Sequence, residues 1–386
     1  MTKKTGTYKY ALGISAQALK RNALVCGDLF VEERTPDAAT FLLLDGIGSG
    51  MKAYVAAQLF ASRLLSLLRR GFTAREACAS IVKTMHAVRT QDVLFAAFTL
   101  VRVLNDGNTV ILSYEMPAPL LLDGDRVEPA PQRFFTLSGE VLAETLFHLE
   151  PGNGFFVFSD GITQAGMGGP LCGGWGLDGV RDYLNSRLSD GAEPKRLPAL
   201  ALEQARLIGD GVYGDDATAV FFTCRPANTV HILTGPPADA AQDRQVVRDF
   251  IAADGAKIIC GSTTADIFAR YSERPVKTGP GSNPFEPPEY FIAEVDMVTE
   301  GALTLNQLYN IIGEKQENLD PASPVSKLLL LLRQADRIYF HVGQAVNPGH
   351  GSQIFKQLGV LPRQVIVPLL AEKLRASGKL VIIEQH

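Results

Sequence analysis

Four short acidic motifs occur in one order along this chain. Each places an aspartate beside small residues at the end of an apolar, strand-like run. The motifs are Cys26-Gly27-Asp28, Asp45-Gly46-Ile47-Gly48-Ser49-Gly50, Ser159-Asp160-Gly161 and Gly214-Asp215-Asp216-Ala217-Thr218. Clustered carboxylates suit hard divalent cations such as Mg²⁺ and Mn²⁺, which prefer oxygen ligands. The motifs therefore predict a metal centre.

Two divalent cations about 3.5 to 4 Å apart can lower the pKa of a water and neutralise charge on phosphoryl oxygens. Flanking glycines leave room for backbone carbonyls and waters as further ligands. The six histidines show no H-x-x-H or H-E-x-x-H spacing, so a zinc hydrolase is not indicated. The chemistry that fits the motifs is a dinuclear, all-oxygen centre acting on a phosphate ester.

The predicted elements place each motif at the end of a strand. The buried run 41–44 leads to Asp45 and a glycine-rich turn, and a helix follows over 52–70. Thr73 and Glu76 form a capping box for a second helix. A meander of strands comes next, and the strand 155–158 ends at Asp160.

The pattern of elements changes after a linker-like segment at 224–228. Strands then alternate with helices, which predicts a mainly parallel sheet, and one of these strands is predicted over 290–297. A chain of 386 residues is long enough for two or three domains. We expect two domains, residues 1–225 and residues 226–386, the second a ligand- or partner-sensing domain.

Composition excludes several classes of protein. No run of about 18 apolar residues occurs, so no membrane span is expected. No secretion signal is evident, which favours a cytoplasmic protein. The five cysteines are scattered and unpaired in pattern, so a disulfide framework is not predicted. A formal net charge of −4 gives no basic footprint for nucleic acid.

The ordered motifs resemble those of the metal-dependent protein phosphatases (PPM, the protein phosphatase 2C superfamily). More narrowly, they are similar to the bacterial branch typified by the stage II sporulation protein E phosphatase domain. The resemblance covers roughly residues 6–224 and implies an α+β fold, a four-layer αββα sandwich, followed here by a smaller α/β domain.

The resemblance also implies a role for each motif. Asp45 would bridge two Mn²⁺ or Mg²⁺ ions, with the Gly46 carbonyl on one of them. Asp28 would bind on that same side, and Asp160 and Asp215 would hold the other ion. In the family the attacking group is a metal-bound water, and no protein nucleophile is used.

The implied activity is hydrolysis of phosphoserine or phosphothreonine in bacterial regulatory signalling. The implied partner is a phosphoprotein such as a STAS-type anti-sigma factor antagonist, and a homodimer is compatible with the sequence. Lys20 and Arg21 are the candidates for a phosphate-binding role. Many relatives carry a Gly-x-Gly-His-x-Pro turn, whereas this chain has Glu115 within the turn 114–119.

Other interpretations stay open from the sequence. The fold could serve a regulatory module with weak or no turnover that binds a phosphoprotein or small ligand. Residues 45–50 lack the Gly-Lys-Ser/Thr ending of a P-loop, and the meander does not match a receiver domain. In the second domain, residues 260–264 follow a strand and open a helix, which suits an anion site or an ordinary N-cap.

Overall fold

The computed structural model describes residues 9–48, 50–88, 95–137, 139–169, 171–278, 289–345 and 359–386. The chain divides into two compact units, Met1–Pro226 (unit 1) and Ala227–His386 (unit 2). No helix within the described residues combines the length and hydropathy that crossing a membrane requires.

Unit 1 contains two antiparallel sheets and helices that flank them. Its strands are β1 (Lys9–Ala18), β2 (Asp28–Arg34), β3 (Ala38–Gly46), β4 (Ala96–Leu104), β5 (Asn108–Tyr114), β6 (Leu120–Asp123), β7 (Arg126–Pro129), β8 (Arg133–Leu137), β9 (Glu140–His148), β10 (Gly154–Phe158) and β11 (Ala217–Pro226). Its helices are α1 (Met51–Arg69), α2 (Ala74–Val88), α3 (Asp160–Thr163), α4 (Gly176–Ser189) and α5 (Leu197–Ile208).

The layers of unit 1 follow from which faces of the sheets are apolar. One sheet has the strand order β1-β11-β10-β6-β7 and the other β2-β3-β4-β5-β9-β8. Their inner faces share a core in which Phe222 contacts Phe41 across the sheets, with ring centroids 5.0 Å apart. Helices α1 and α2 cover the outer face of the second sheet, and α4 and α5 cover that of the first. The predicted four-layer αββα sandwich is confirmed.

Unit 2 is an α/β unit built on one seven-stranded sheet. Its strands are β12 (Thr229–Thr234), β13 (Ala256–Cys260), β14 (Lys277–Thr278), β15 (Glu289–Phe291), β16 (Met297–Thr299), β17 (Arg337–Val342) and β18 (Leu380–Gln385). Its helices are α6 (Asp243–Ala252), α7 (Ser262–Ser272), α8 (Ala302–Ile311), α9 (Pro324–Gln334) and α10 (Arg363–Ala376). The strand order is β14-β15-β16-β13-β12-β17-β18.

The sheet of unit 2 is mainly parallel, as the alternating pattern predicts. All pairs from β16 to β18 are parallel, while β14 and β15 add an antiparallel edge. The single strand predicted over 290–297 is wrong. The chain reverses between β15 and β16, where Glu294 takes a φ of 62°, a left-handed conformation that ends a strand.

Candidate metal centre

The pairing of β2 with β3 brings the first two acidic motifs together. Asp28 lies directly opposite Asp45 in this antiparallel ladder. Side chains of opposite residues share one face of the sheet and interact. Asp28 is buried, with 3% of its surface exposed, and Asp45 is half-buried. Two carboxylates therefore lie side by side at one end of the second sheet.

The third motif arrives from the other sheet. Strand β10 ends before Ser159, and Asp160 begins the short helix α3. The backbone N–H of Ser159 donates to the carbonyl of Thr218 in β11 over 2.9 Å, which fixes the start of this turn. The Asp160 carboxyl group lies close enough to Asp45 to raise the pKa of the Asp45 carboxyl group. Residues from both sheets therefore form one carboxylate cluster.

Two hydroxyl groups hold one oxygen of Asp28. Its Oδ2 accepts hydrogen bonds from Ser159 Oγ at 2.7 Å and from Thr218 Oγ1 at 2.6 Å. The Thr218 N–H donates to Ser159 Oγ at 2.8 Å, and Gln17 Nε2 donates to Thr218 Oγ1 at 3.1 Å. This network fixes the Asp28 carboxylate and connects β2 to β10 and β11.

Two other carboxylate oxygens of the cluster are buried without a donor. Within the described residues, Asp28 Oδ1 and Asp160 Oδ1 have no hydrogen-bond partner. The second oxygen of Asp160, Oδ2, accepts from Gln164 Nε2 at 2.7 Å. Buried polar atoms are normally paired, because leaving one unpaired costs about 1 to 3 kcal/mol. Each aspartate thus has one oxygen held by the protein and one left for a ligand.

Burial and mutual repulsion raise the pKa values of this cluster. Burial raises the pKa of Asp45 to about 9, and the charges of Asp28, Asp160 and Asp215 add to the rise. Burial also raises the pKa of Asp28 to about 6, against the opposing hydrogen bonds from Thr218 and Ser159. Without a counter-charge, the cluster therefore retains a proton at neutral pH. A bound cation would favour the ionised form of every member.

The two neighbouring aspartates of the fourth motif have different environments. Asp216 is buried, and its two oxygens accept the N–H groups of Lys20 at 2.9 Å and Gly27 at 2.8 Å. It thereby holds the loop between β1 and β2 that leads to Asp28. The Asp215 side chain is 48% exposed and pairs with Lys20 Nζ at 3.2 Å. Asp215 therefore keeps an accessible carboxylate at the edge of the cluster.

The structure places the two candidate basic residues differently. Lys20 lies at the cluster through its contact with Asp215. Arg21 is exposed, and its backbone N–H donates to the Tyr213 carbonyl at 3.0 Å. Glu115, which stands in the turn where many relatives have histidine, is exposed and has a φ of 53°. Only Lys20 of the two is tied to an acidic residue of the cluster by a side-chain contact.

Glycines beside Asp45 and Asp160 allow close backbone packing. A Cβ atom at Gly46 would lie 1.9 Å from the carbonyl oxygen of Ala53 in α1. A Cβ atom at Gly161 would lie 2.0 Å from the Asp216 carbonyl oxygen. No side chain fits at either distance, so both Asp-Gly pairs are structural requirements. The glycines bring the strand ends, α1 and α3 close enough to form the cluster.

The donor set of the cluster fits divalent cations. It offers only oxygen atoms, two of them buried and unpaired, in a region with raised carboxyl pKa values. The four aspartates do not converge closely on a single point. The one compact group of three metal-ligating types within the described residues is His341, Glu384 and His386 in unit 2, whose ligand atoms lie within 4.8 Å.

The sequence does not predict this group, since His341 lies on β17 whereas Glu384 and His386 lie at the end of β18 and just after it. Both ring nitrogens of His341 have partners: Nδ1 pairs with Glu384 at 3.0 Å and Nε2 contacts His231 Nδ1 at 3.0 Å. His386 Nε2 is buried and has no hydrogen-bond partner within the described residues. Within the described residues, no three of the aspartates in unit 1 bring ligand atoms within 4.8 Å of one another.

Comparison with known proteins gives a family match to most of unit 1. A family model described as stage II sporulation protein E (SpoIIE) matches residues 35–225. Unit 1 carries a SpoIIE-type phosphatase domain. The matched segment of the SpoIIE-type domain contains Asp45, Asp160 and Asp215. Asp28 and Lys20 precede it, and the fold brings them to the same cluster.

Solved structures with similar folds include bacterial regulators. The PP2C phosphatase domain and a regulatory-domain fragment of SpoIIE from Bacillus subtilis is 19% identical, with a TM-score of 0.47, over 56% of this chain and 64% of that chain. The RsbU and RsbW domains of Rv1364c from Mycobacterium tuberculosis are 20% identical, with a TM-score of 0.48, over 69% of this chain and 75% of that chain.

A third such structure is RsbX in complex with magnesium, 14% identical, with a TM-score of 0.41, over 56% of this chain and 96% of that chain. This chain thus spans less than two thirds of the SpoIIE structure from Bacillus subtilis. No curated protein matches the sequence.

Proposed function

We propose that this protein is a metal-dependent phosphoprotein phosphatase that hydrolyses phosphoserine or phosphothreonine. The observation that carries the proposal is the pair of buried, unpartnered carboxylate oxygens, Asp28 Oδ1 and Asp160 Oδ1, beside Asp45. When bound, two Mn²⁺ or Mg²⁺ ions would supply an activated water and positive charge facing the phosphoryl oxygens. Membership of unit 1 in the SpoIIE-type domains supports the choice of a phosphate ester as substrate.

Each aspartate has a proposed part in holding the ions. Asp45, close to Asp160 and opposite Asp28, would bridge them, with the Gly46 carbonyl as a further ligand. Asp28 would bind on one side, and Asp160 and Asp215 on the other. Ser159 and Thr218 hold Asp28 in place through its other oxygen.

The proposed substrate is a phosphorylated regulatory protein, such as a STAS-type anti-sigma factor antagonist. Lys20 would bind the substrate phosphate, because its ammonium group lies beside Asp215, at the edge of the cluster, and attracts the negatively charged phosphate. Replacing Lys20 with Met keeps the backbone N–H that Asp216 accepts. We expect the KM of Lys20→Met to rise several-fold, and that of Arg21→Met to change less.

The proposal is tested by hydrolysis of p-nitrophenyl phosphate and of a phosphoserine protein by the full chain. Metal-stripped protein is assayed with Mn²⁺, with Mg²⁺ and with EDTA. Asp45→Asn and Asp215→Asn are compared with Asp178→Asn, which changes an exposed Asp-Gly pair in α4 away from the cluster.

We expect activity only with added cations, a loss of at least about 100-fold in the two cluster variants, and no loss in Asp178→Asn. Activity that persists in EDTA, or that survives both cluster substitutions, would contradict the proposal. A wild-type chain that binds Mn²⁺ and a phosphoprotein without turnover would favour a regulatory binding module instead.

A further inference from the structure

Unit 2 has a crevice at the point in its parallel sheet where the order of successive strands reverses. The first strand of the unit, β12, is central: β13 and β16 follow on one side, and β17 and β18 on the other. In parallel α/β sheets, ligands bind beyond the carboxyl ends of the strands at such a point. A cavity of about 200 Å³ lies there. It is lined by the loops after β12, β13 and β16 and by Arg363.

Three helices begin at this cavity. Ser262 starts α7, Ala302 starts α8 and Arg363 starts α10, and all three residues line the cavity. The first N–H groups of a helix have no partner within it, and this end carries partial positive charge. No side chain caps α7. At α8, Glu300 accepts the Leu303 N–H at 2.8 Å. The uncapped end of α7 is thus available to an anion.

The Arg363 side chain adds a positive charge that forms no ion pair within the described residues. Only 6% of its surface is exposed, and its Nη1 atom has no hydrogen-bond partner within the described part of the chain. Its position at the start of α10 is unfavourable for a cation, because it faces the positive end of the helix dipole. A buried charge is normally paired, since an unpaired one is costly. The missing partner of Arg363 is therefore an anion.

The packing around Arg363 is specific to this side chain. A Cβ atom at Gly235 would lie 1.0 Å from Arg363 Nη1, so only glycine at that position leaves room for the guanidinium. The Gly235 N–H donates to Thr264 Oγ1 at 2.9 Å, which connects the loop after β12 to the first turn of α7. This arrangement holds Arg363 and the end of α7 at one cavity.

Two features of the cavity walls restrict which anion can bind there. Pro236 and Pro237 follow Gly235 and offer no N–H, so the loop after β12 cannot hold a pyrophosphate as a glycine-rich loop does. Glu300 places a carboxylate on the same cavity, where it repels a second negative group and can accept a hydroxyl. A molecule with a single phosphate group and free hydroxyl groups meets both conditions.

From these observations we propose that unit 2 binds a small hydroxylated phosphate monoester. Its phosphate accepts the N–H groups at the start of α7 and the Arg363 guanidinium. Its hydroxyl groups donate to Glu300. The site is separate from the carboxylate cluster of unit 1 in the residues that form it, and it needs no metal ion.

The test is calorimetric titration of the full chain in EDTA, which removes divalent cations from the carboxylate cluster. The probes are inorganic phosphate, ribose 5-phosphate and ribose. Arg363→Gln removes the charge. Thr263→Glu adds a negative charge at the exposed start of α7, where an acidic residue stabilises the helix, so loss of binding in this variant does not reflect unfolding. Arg248→Gln, on the exposed face of α6, is the matched control.

We expect the wild-type chain to bind ribose 5-phosphate more tightly than inorganic phosphate and not to bind ribose. Both Arg363→Gln and Thr263→Glu should weaken binding by at least about tenfold, and Arg248→Gln should leave it unchanged. Absence of phosphate binding by the wild type, or equal binding in Thr263→Glu, would overturn the proposal. Equal affinity for phosphate and ribose 5-phosphate would overturn the part assigned to Glu300.

Discussion

The carboxylate cluster of unit 1 carries negative charge, and Arg363 gives the crevice of unit 2 positive charge. In both places, buried polar atoms have no hydrogen-bond partner within the described residues. In unit 1, buried acceptors gather without donors: Asp28 Oδ1 and Asp160 Oδ1 have no partner within the described chain. In unit 2, a buried donor has no acceptor, because Arg363 Nη1 is unpaired under the same restriction. Under the two proposals, the sign of the uncompensated charge sets the ligand expected at each place, a cation in unit 1 and an anion in unit 2.

The largest expected effect concerns the pH dependence of the metal-free cluster. The folded-state pKa of Asp45, about 9, lies above its ordinary value. Between about pH 4 and pH 9 the folded state therefore holds a proton that the unfolded chain has released, and the free energy of unfolding falls as pH rises. We expect Asp45→Asn to remove most of this slope, leaving the smaller contribution of Asp28 below about pH 6, with a gain of a few kcal/mol near pH 9.

This prediction is measured by urea unfolding in EDTA, followed by the fluorescence of Trp175. That residue is the only tryptophan of the chain and lies in unit 1. Asp178→Asn should retain the slope of the wild type. A wild-type stability that rises with pH over this window would show that the cluster does not retain a proton, and the contrast between the two units would fail.

The next effect concerns the hydroxyl groups that hold Asp28. Thr218→Val keeps the shape of the side chain and removes the 2.6 Å hydrogen bond to Asp28 Oδ2. Groups that orient a metal ligand typically account for a factor of about 10 to 100 in affinity or activity. We expect Mn²⁺ affinity to fall by that factor, measured by titration calorimetry.

Thr223→Val is a matched control on the same strand. Thr223 Oγ1 donates to the Asn153 carbonyl at 3.0 Å, and Asn153 lies outside the acidic motifs. Its Mn²⁺ affinity should equal that of the wild type. Equal affinities in both valine variants would mean that Asp28 needs no orientation, or that it is not a ligand.

The smallest effect lies in unit 2 and has the opposite sign with pH. Burial lowers the pKa of His231 to about 4, and the nearby cationic groups His341, Lys257 and Arg337 add to the fall. The unfolded chain therefore takes up a proton at a higher pH than the folded chain. Stability of unit 2 is retained above about pH 6.5 and is lost as pH falls towards 4, by about 1 to 2 kcal/mol.

Hydrogen exchange of β12, corrected for the intrinsic rate at each pH, measures this loss. His231→Gln cannot take up the proton and should flatten the dependence, while the exposed His148→Gln in unit 1 should not alter it. A dependence that is unchanged in His231→Gln would assign the acid sensitivity of the sheet to another group.

The sequence points to the aspartates of the carboxylate cluster in unit 1 more clearly than to Arg363 in the crevice of unit 2. Asp28, Asp45, Asp160 and Asp215 each lie in a short motif with glycine, and the order of the motifs is informative even before the fold is seen. The crevice depends on Arg363, which lies about a hundred residues after the turn at Cys260. Nothing near it in the chain distinguishes it from a surface arginine at the start of a helix.

Some local features cannot be predicted from the sequence either. Ser159 and Thr218 lie within the acidic motifs, but their hydrogen bonds to Asp28 depend on the pairing of strands far apart in the chain. Asp215 and Asp216 are identical in type, and only packing makes one exposed and the other a buried acceptor. The sequence of β9 does not predict a strand, because it mixes Glu, Thr and His into the apolar run. A helix with clear periodicity is predicted accurately: the helix expected over 52–70 is α1, Met51–Arg69.

The most direct test of the carboxylate cluster is the number of Mn²⁺ ions that the full chain binds, measured by calorimetry in buffers of different ionisation enthalpy. We predict two ions per wild-type chain with release of a proton near neutral pH, because burial and repulsion keep Asp45 protonated without them. Asp45→Asn should lose at least one ion, while Glu384→Gln should lose none. A stoichiometry unaffected by Asp45→Asn, or lost in Glu384→Gln, would contradict the assignment of the metal centre to unit 1.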